Sequence, residues 1–211
     1  MAIFGLACEG ITDQTVLENI LYGYYGKDYE DIDDEIQRVQ PPFDDTDNKG
    51  GWNRLFDYLN SDRFEDDVIN NDYLVIQIDT DVSEEIGFEV SSLNLSTVEF
   101  IQKIIERLIT QIDKKKSIYQ RYNKNIFFAI SVHSLECWLL PIYSNKKEIV
   151  HNCFDKLCKE VPKVSKKLKV TKNANSYDKL SRPFLKRKGL LTIASKNSSF
   201  QVFINSLPSE I

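Results

Sequence analysis

The sequence is short of long apolar runs. The longest, such as Ile126–Ile130 and Leu135–Ile142, fall well below the roughly 20 residues that a membrane-spanning helix requires, so no membrane partner is expected. The opening segment Met1–Cys8 is apolar but carries no basic leader and meets Glu9 at once, and it reads as a buried strand and not as a signal peptide. Cysteine is scarce too. Cys8, Cys137, Cys153 and Cys158 show no disulfide-framework spacing and no tight Cys-x-x-Cys pair. Reduced thiols in a cytoplasmic protein are therefore expected, and a zinc site drawing on His133 and His151 is disfavoured. No G-x-x-x-x-G-K-[ST] segment occurs, so any ATPase must be another chain.

What is present is an ordinary globular composition, 42% hydrophobic and 28% charged over 211 residues. That argues against wholesale disorder and suits one compact domain, with or without an appendage. The net charge is −5, yet residues 1–100 hold 24 acidic and 5 basic side chains while 101–211 hold 8 acidic and 22 basic. Such asymmetry suggests two halves that attract each other, or a basic surface kept for a polyanion. Charge alone leaves both open. In the basic half Lys179, Arg182, Lys186, Arg187 and Lys188 are candidates for phosphate contact, with Tyr177 and Phe184 interleaved for stacking. The plainer reading is a solvated helical face with Phe184 in the core.

Apolar spacing predicts strands over residues 2–8, near 36–39, over 73–78 and over 126–132. Helices are expected from an Asp13 cap through Tyr24, after Gly50-Gly51, over about 97–113, and over much of the chain beyond 146. Residues 27–47 read as an irregular acidic excursion, and Lys163–Lys172 as a mobile loop or the edge of a helical appendage. Strands alternating with helices imply an α/β fold: a mainly parallel central sheet with helices on both faces. The α/β domain is expected over 1–142, with a basic helical C-terminal region packed on it over 143–211.

In a parallel sheet, functional groups gather beyond the carboxyl ends of the strands. Three of the apolar runs end in acids: Glu9 after the first, Asp79 and Asp81 after the next, and Glu136 shortly after the last. Carboxylates converging on one rim repel each other unless a cation sits among them, and Mg²⁺ or Mn²⁺ prefers oxygen ligands of this kind. The alternative for each is a surface carboxylate, and for Asp13 an ordinary helix cap.

The segment Ala7-Cys8-Glu9-Gly10-Ile11-Thr12-Asp13 resembles the first Toprim motif, a Glu-Gly pair at a strand end before an acidic helix start. Val75–Asp81 resembles the second, an apolar strand ending in Asp-x-Asp. Ser134-Leu135-Glu136-Cys137-Trp138-Leu139-Leu140 is similar to the Glu-x-Trp-Leu motif of small Toprim-like proteins related to OLD nucleases and RloB, as is the Gly50-Gly51-Trp52 approach to the second motif. The resemblance implies Glu9 as a metal ligand or general base, Asp79 and Asp81 as Mg²⁺ or Mn²⁺ ligands, Glu136 as a further ligand, and Asp13 in support. It also implies a nuclease acting on DNA or RNA in bacterial defence against phages, working with a separate ATPase subunit, and it leaves room for a homo-oligomer. Two other readings stand beside it. One is an aspartyl nucleophile in Asp79-Thr80-Asp81, though Glu9-Gly10 occupies the strand end where that signature belongs. The other is an inactive Toprim-like module that binds a partner.

Overall fold

A computed structural model describes residues 2–26, 35–42, 50–145 and 148–209; most of the expected acidic excursion lies outside them. Strands β1 (Phe4–Ala7), β2 (Ile36–Gln40), β3 (Tyr73–Asp79) and β4 (Ile126–Ser131) form one sheet in the order β2-β1-β3-β4, and every pairing is parallel. Ala7 stands opposite Ile76, and Asp79 opposite Ser131, so the carboxyl ends of β1, β3 and β4 reach the same edge.

The helices among the described residues are α1 (Ile11–Tyr25), α2 (Trp52–Leu59), α3 (Asp62–Asn70), α4 (Thr97–Ile112) and α5 (Ile118–Tyr122). They continue with α6 (Glu136–Tyr143), α7 (Cys153–Val164), α8 (Ala174–Ser181), α9 (Arg187–Ala194) and α10 (Ser198–Ser206). Alternate strand residues serve two cores. Leu6, Cys8, Val75 and Ala129 face α1 and the helices from α6 onward, while Ala7, Leu74, Ile76, Ile78 and Ile130 face α2 to α5. Burial on both sides is why the strands read as nearly unbroken apolar runs.

The first of these cores runs across residue 142 without a break. Trp138 of α6 is fully buried, stacks on Phe200 at 4.7 Å, and donates its indole N–H to Ser199 Oγ at 2.8 Å. Burying a ring of that size contributes roughly 3 kcal/mol, so α10 is bound to the sheet as firmly as its neighbours are. Tyr177, Leu180 and Phe184 seal α1 from the other side. Pro183 falls in a 3-10 turn over Arg182–Leu185 that separates α8 from α9.

Two expectations need correction. The first is the cap of α1: the helix begins at Ile11 with extended Gly10 as its N-cap, and Asp13 sits buried in the first turn. Gly10 allows the helix to start directly after Glu9, and an acid in the first turn suits the positive end of the helix dipole. The second concerns the thiols. Cys137 and Cys153 form a disulfide, with Cα atoms 5.1 Å apart, because α6 and the start of α7 pack together across 16 residues of sequence. Cys8 and Cys158 remain free. No described helix is long and apolar enough to cross a membrane.

Candidate functional site

Beyond the carboxyl edge of the sheet lies a cavity of about 600 Å³, and Glu9, Asp13, Asp79, Asp81 and Glu136 all line it. Each arrives by a separate local device. Glu9 follows β1, and its backbone carbonyl accepts the N–H of Gly51 at 2.8 Å. Gly50 passes so close that a Cβ there would lie 2.3 Å from the Glu9 carbonyl oxygen, and Gly51 has φ 126°, so both positions require glycine. Asp79 ends β3, where its N–H donates to the Glu9 carboxylate at 3.3 Å. Gln77, fully buried, accepts the Glu9 N–H at 3.3 Å through Oε1 and donates to Asp79 Oδ1 at 2.9 Å. Glu136 opens α6 and accepts a short hydrogen bond from the hydroxyl of Tyr177 in α8.

Burial and mutual repulsion make Glu9, Asp13, Asp79 and Asp81 hold their protons more tightly than usual. Burial is the main cause for Glu9, whose carboxyl is pushed up to about 7, with Asp81 and Glu85 adding to it and the Asp79 N–H and Lys172 opposing it. Asp13 and Asp79 are driven well above the usual carboxylate range, first by burial and then by the neighbouring acids. Asp81, the most exposed, is raised by burial and moderated by His133. Burial and Glu136 together push the Tyr177 phenol upward.

The acids share a cavity but do not enclose an ion as they stand. Among the described residues, no three Asp, Glu, His or Cys side chains come together closely enough to hold one. Glu136 is turned toward Tyr177 and Asp79 toward Gln77, so each would have to give up or share a hydrogen bond to act as a ligand. The disulfide also removes Cys137 and Cys153 from any zinc set.

The cations expected to touch phosphate lie apart from the cavity. Lys179, Arg182, Lys186, Arg187 and Lys188 are exposed, and none lines the cavity. Arg182 pairs with Asp178 at 2.9 Å, and Arg187 lies over the Tyr24 ring at 5.1 Å. The reason is helical geometry: α8 starts beside the cavity and packs along α1, so the chain reaches Arg187 at the level of Tyr24, roughly 16 Å beyond Asp13 at about 1.5 Å per residue.

Two further residues belong to the cavity wall: Lys172, which the sequence did not single out, and His133, which it weighed only as a zinc ligand. Lys172, just before the Asn173 cap of α8, is the single Lys or Arg among the described residues lining the cavity, and its Nζ lies 5.0 Å from the Phe154 ring centroid. His133 follows β4 with φ 67°, a left-handed conformation costly for a residue with a Cβ. Its N–H donates to Thr80 Oγ1 at 2.8 Å, and its carbonyl accepts from the N–H groups of Thr80 and Asp81 at 3.0 Å each. These bonds fix the imidazole in the cavity wall, where its buried Nδ1 has no partner. Its place directly after the last apolar strand was the available signal. Comparison of the chain with protein-family models, with curated proteins and with solved structures returns no match.

Proposed function

We propose that this chain is a Toprim-like nuclease that hydrolyses phosphodiester bonds in DNA or RNA with the help of Mg²⁺ or Mn²⁺. On this reading it is a cytoplasmic effector of antiviral defence that works beside a separate ATPase subunit. The observation that carries the proposal is the delivery of Glu9, Asp79, Asp81 and Glu136, from three parallel strand ends, into one cavity that also holds Lys172.

The donor set fits the cation. All four candidate ligands are carboxylates, which suit a hard divalent ion, and burial with mutual repulsion raises the proton affinity of Glu9, Asp79 and Asp81. When bound, the ion supplies Lewis-acid polarisation of a phosphoryl oxygen and lowers the pKa of a water molecule. Glu9, with a proton affinity near neutrality, is suited to accept the proton of the attacking water. Gln77 keeps Asp79 oriented, and Lys172 offsets the negative charge that grows on the phosphate.

The test incubates purified protein with Mg²⁺ or Mn²⁺ and a panel of DNA and RNA substrates, beside Glu9→Gln. Cation-dependent cleavage lost in the variant is the expected result. If the wild type cuts nothing even with its ATPase partner supplied, a partner-binding module replaces the nuclease; the separation of the carboxylates is the observation favouring that second reading.

A further inference from the structure

A second cavity, of about 430 Å³, adjoins the acidic one and shares two wall residues with it, Asp81 and His133. It lies between the carboxyl ends of β3 and β4 and the first turn of α4. Its lining combines apolar residues, Leu95, Phe100, Val132 and Val150, with hydroxyl-bearing ones, among them Ser83, Ser92 and Thr97. Its acidic side chains are those of Asp81 and Glu84, and no Lys or Arg stands among the described residues lining it. Phosphate is disfavoured in this space, which unlike the first cavity has no Lys or Arg among its described lining residues to offset its carboxylates. Its size, near the low end for small-molecule cavities, is enough for one base or nucleoside.

We infer that this second cavity is a subsite for the unpaired base of the nucleotide whose phosphate lies at the acidic cluster, which makes single-stranded nucleic acid the substrate class. The inference rests on the nuclease reading for its first cavity, but the second has chemistry of its own. A base is planar and uncharged, with apolar faces and polar edges, and this cavity is lined by both apolar and hydroxyl-bearing residues. Three hydrogen bonds hold the main chain of His133 at the junction, and its buried Nδ1 has no partner. It is placed to contact a sugar or base edge as the ligand passes from one cavity to the other. Hydroxyls both donate and accept, so the subsite tolerates different bases instead of reading one. A base within a duplex must leave its stack to enter, and that costs a few kcal/mol.

The experiment follows binding by the emission of one 2-aminopurine within a short oligonucleotide, made as DNA and as RNA, using Glu9→Gln protein with Mg²⁺ so that the strand survives. The single strand is expected to bind at least tenfold more tightly than the same strand annealed to its complement. Adding Ser92→Trp, at an exposed loop position, is expected to weaken single-strand binding about tenfold, near the lower end for loss of one stacked base. Thr97→Trp should do the same from the first turn of α4. In an otherwise wild-type background, neither tryptophan should alter the rise in melting temperature produced by Mn²⁺, which reports the acidic cavity alone. Equal affinity for single strand and duplex, or undiminished binding in both tryptophan variants, overturns the subsite. If no nucleic acid is cut yet the single strand still binds and the tryptophans still weaken it, the subsite stands and the hydrolase reading alone fails.

Discussion

Without a cation, this protein should lose stability as the pH rises through neutrality, and Glu9 sets much of the size of that loss. Its carboxyl is raised from 4.5 to about 7 in the fold. Between those values the native state keeps a proton that the unfolded chain has released, so the stability it confers is complete below about 4.5 and gone above about 7. At about 1.4 kcal/mol per tenfold change in proton affinity, Glu9 alone accounts for ~3 kcal/mol, or a melting temperature about 6–12 °C lower at pH 8 than at pH 4.5 for a chain of this size. Asp13, Asp79 and Asp81 act in the same direction. Asp62 and Glu65, hydrogen-bonded by Lys116, and Glu99, capped against Ser96, are lowered instead. Their contribution is lost only below the ordinary carboxylate range, outside this window. Urea unfolding in EDTA across pH 4.5–8 measures the slope. Glu9→Gln keeps an acceptor for the Asp79 N–H but cannot ionise, so it should flatten the decline and be the more stable protein at pH 8. A variant with the wild-type slope would refute the assignment of the loss to this cluster.

The same electrostatics gives two further expectations. Mg²⁺ or Mn²⁺ should raise the melting temperature of the wild type at pH 8, and Asp79→Asn should abolish most of that rise; equal shifts in both proteins, read by differential scanning fluorimetry, would mark a nonspecific ion effect. Lys172→Ala should lower the cleavage rate by at least tenfold, whereas replacing Lys186, Arg187 and Lys188 together with Ala should leave it within about threefold and only reduce the salt dependence of binding, because none of the three reaches the cavity. A triple variant as damaged as Lys172→Ala in single-turnover assays would reverse that order.

The sheet was legible because its residues declare themselves locally. Tyr73–Ile78 and Ile126–Ile130 are apolar on both faces, and the long helix from Thr97 carries both its periodicity and the Ser96–Glu99 capping box. Helices α3 and α5 were not legible. α3 buries only Phe64 and Val68, and α5 only Ile118, too few positions to set a period. The acids could be read because a carboxylate at the end of an apolar run is conspicuous. Their partners could not. Gln77 looks like one polar residue inside a strand until β1 and β4 lie beside it, and Tyr177 meets Glu136 only across 41 residues of chain. The disulfide was missed for the same reason, since its spacing acquires meaning only when α6 and α7 are packed.

The charge asymmetry of the chain offered attraction between its halves and a surface for a polyanion as alternatives, and the first operates in part. Lys116 pairs with Asp62 at 2.7 Å and with Glu65, and Arg121 pairs with Glu65 at 2.9 Å, so part of the basic half meets part of the acidic half directly. Exposed pairs of this kind contribute about 0–1 kcal/mol each, too little to explain the whole imbalance. The lysines at 163, 166, 167 and 169 remain exposed in the stretch that leads to Lys172, which sits in the wall of the acidic cavity. A cavity rich in carboxylates repels phosphate on its own, and a lysine-rich approach lowers that barrier for a polyanion arriving from this side. The distinction between Lys172 and the cluster at 186–188 is therefore one of position and not of composition: five or six residues of like charge lie along the same helices, but only the one beside the α8 cap is delivered to the acids.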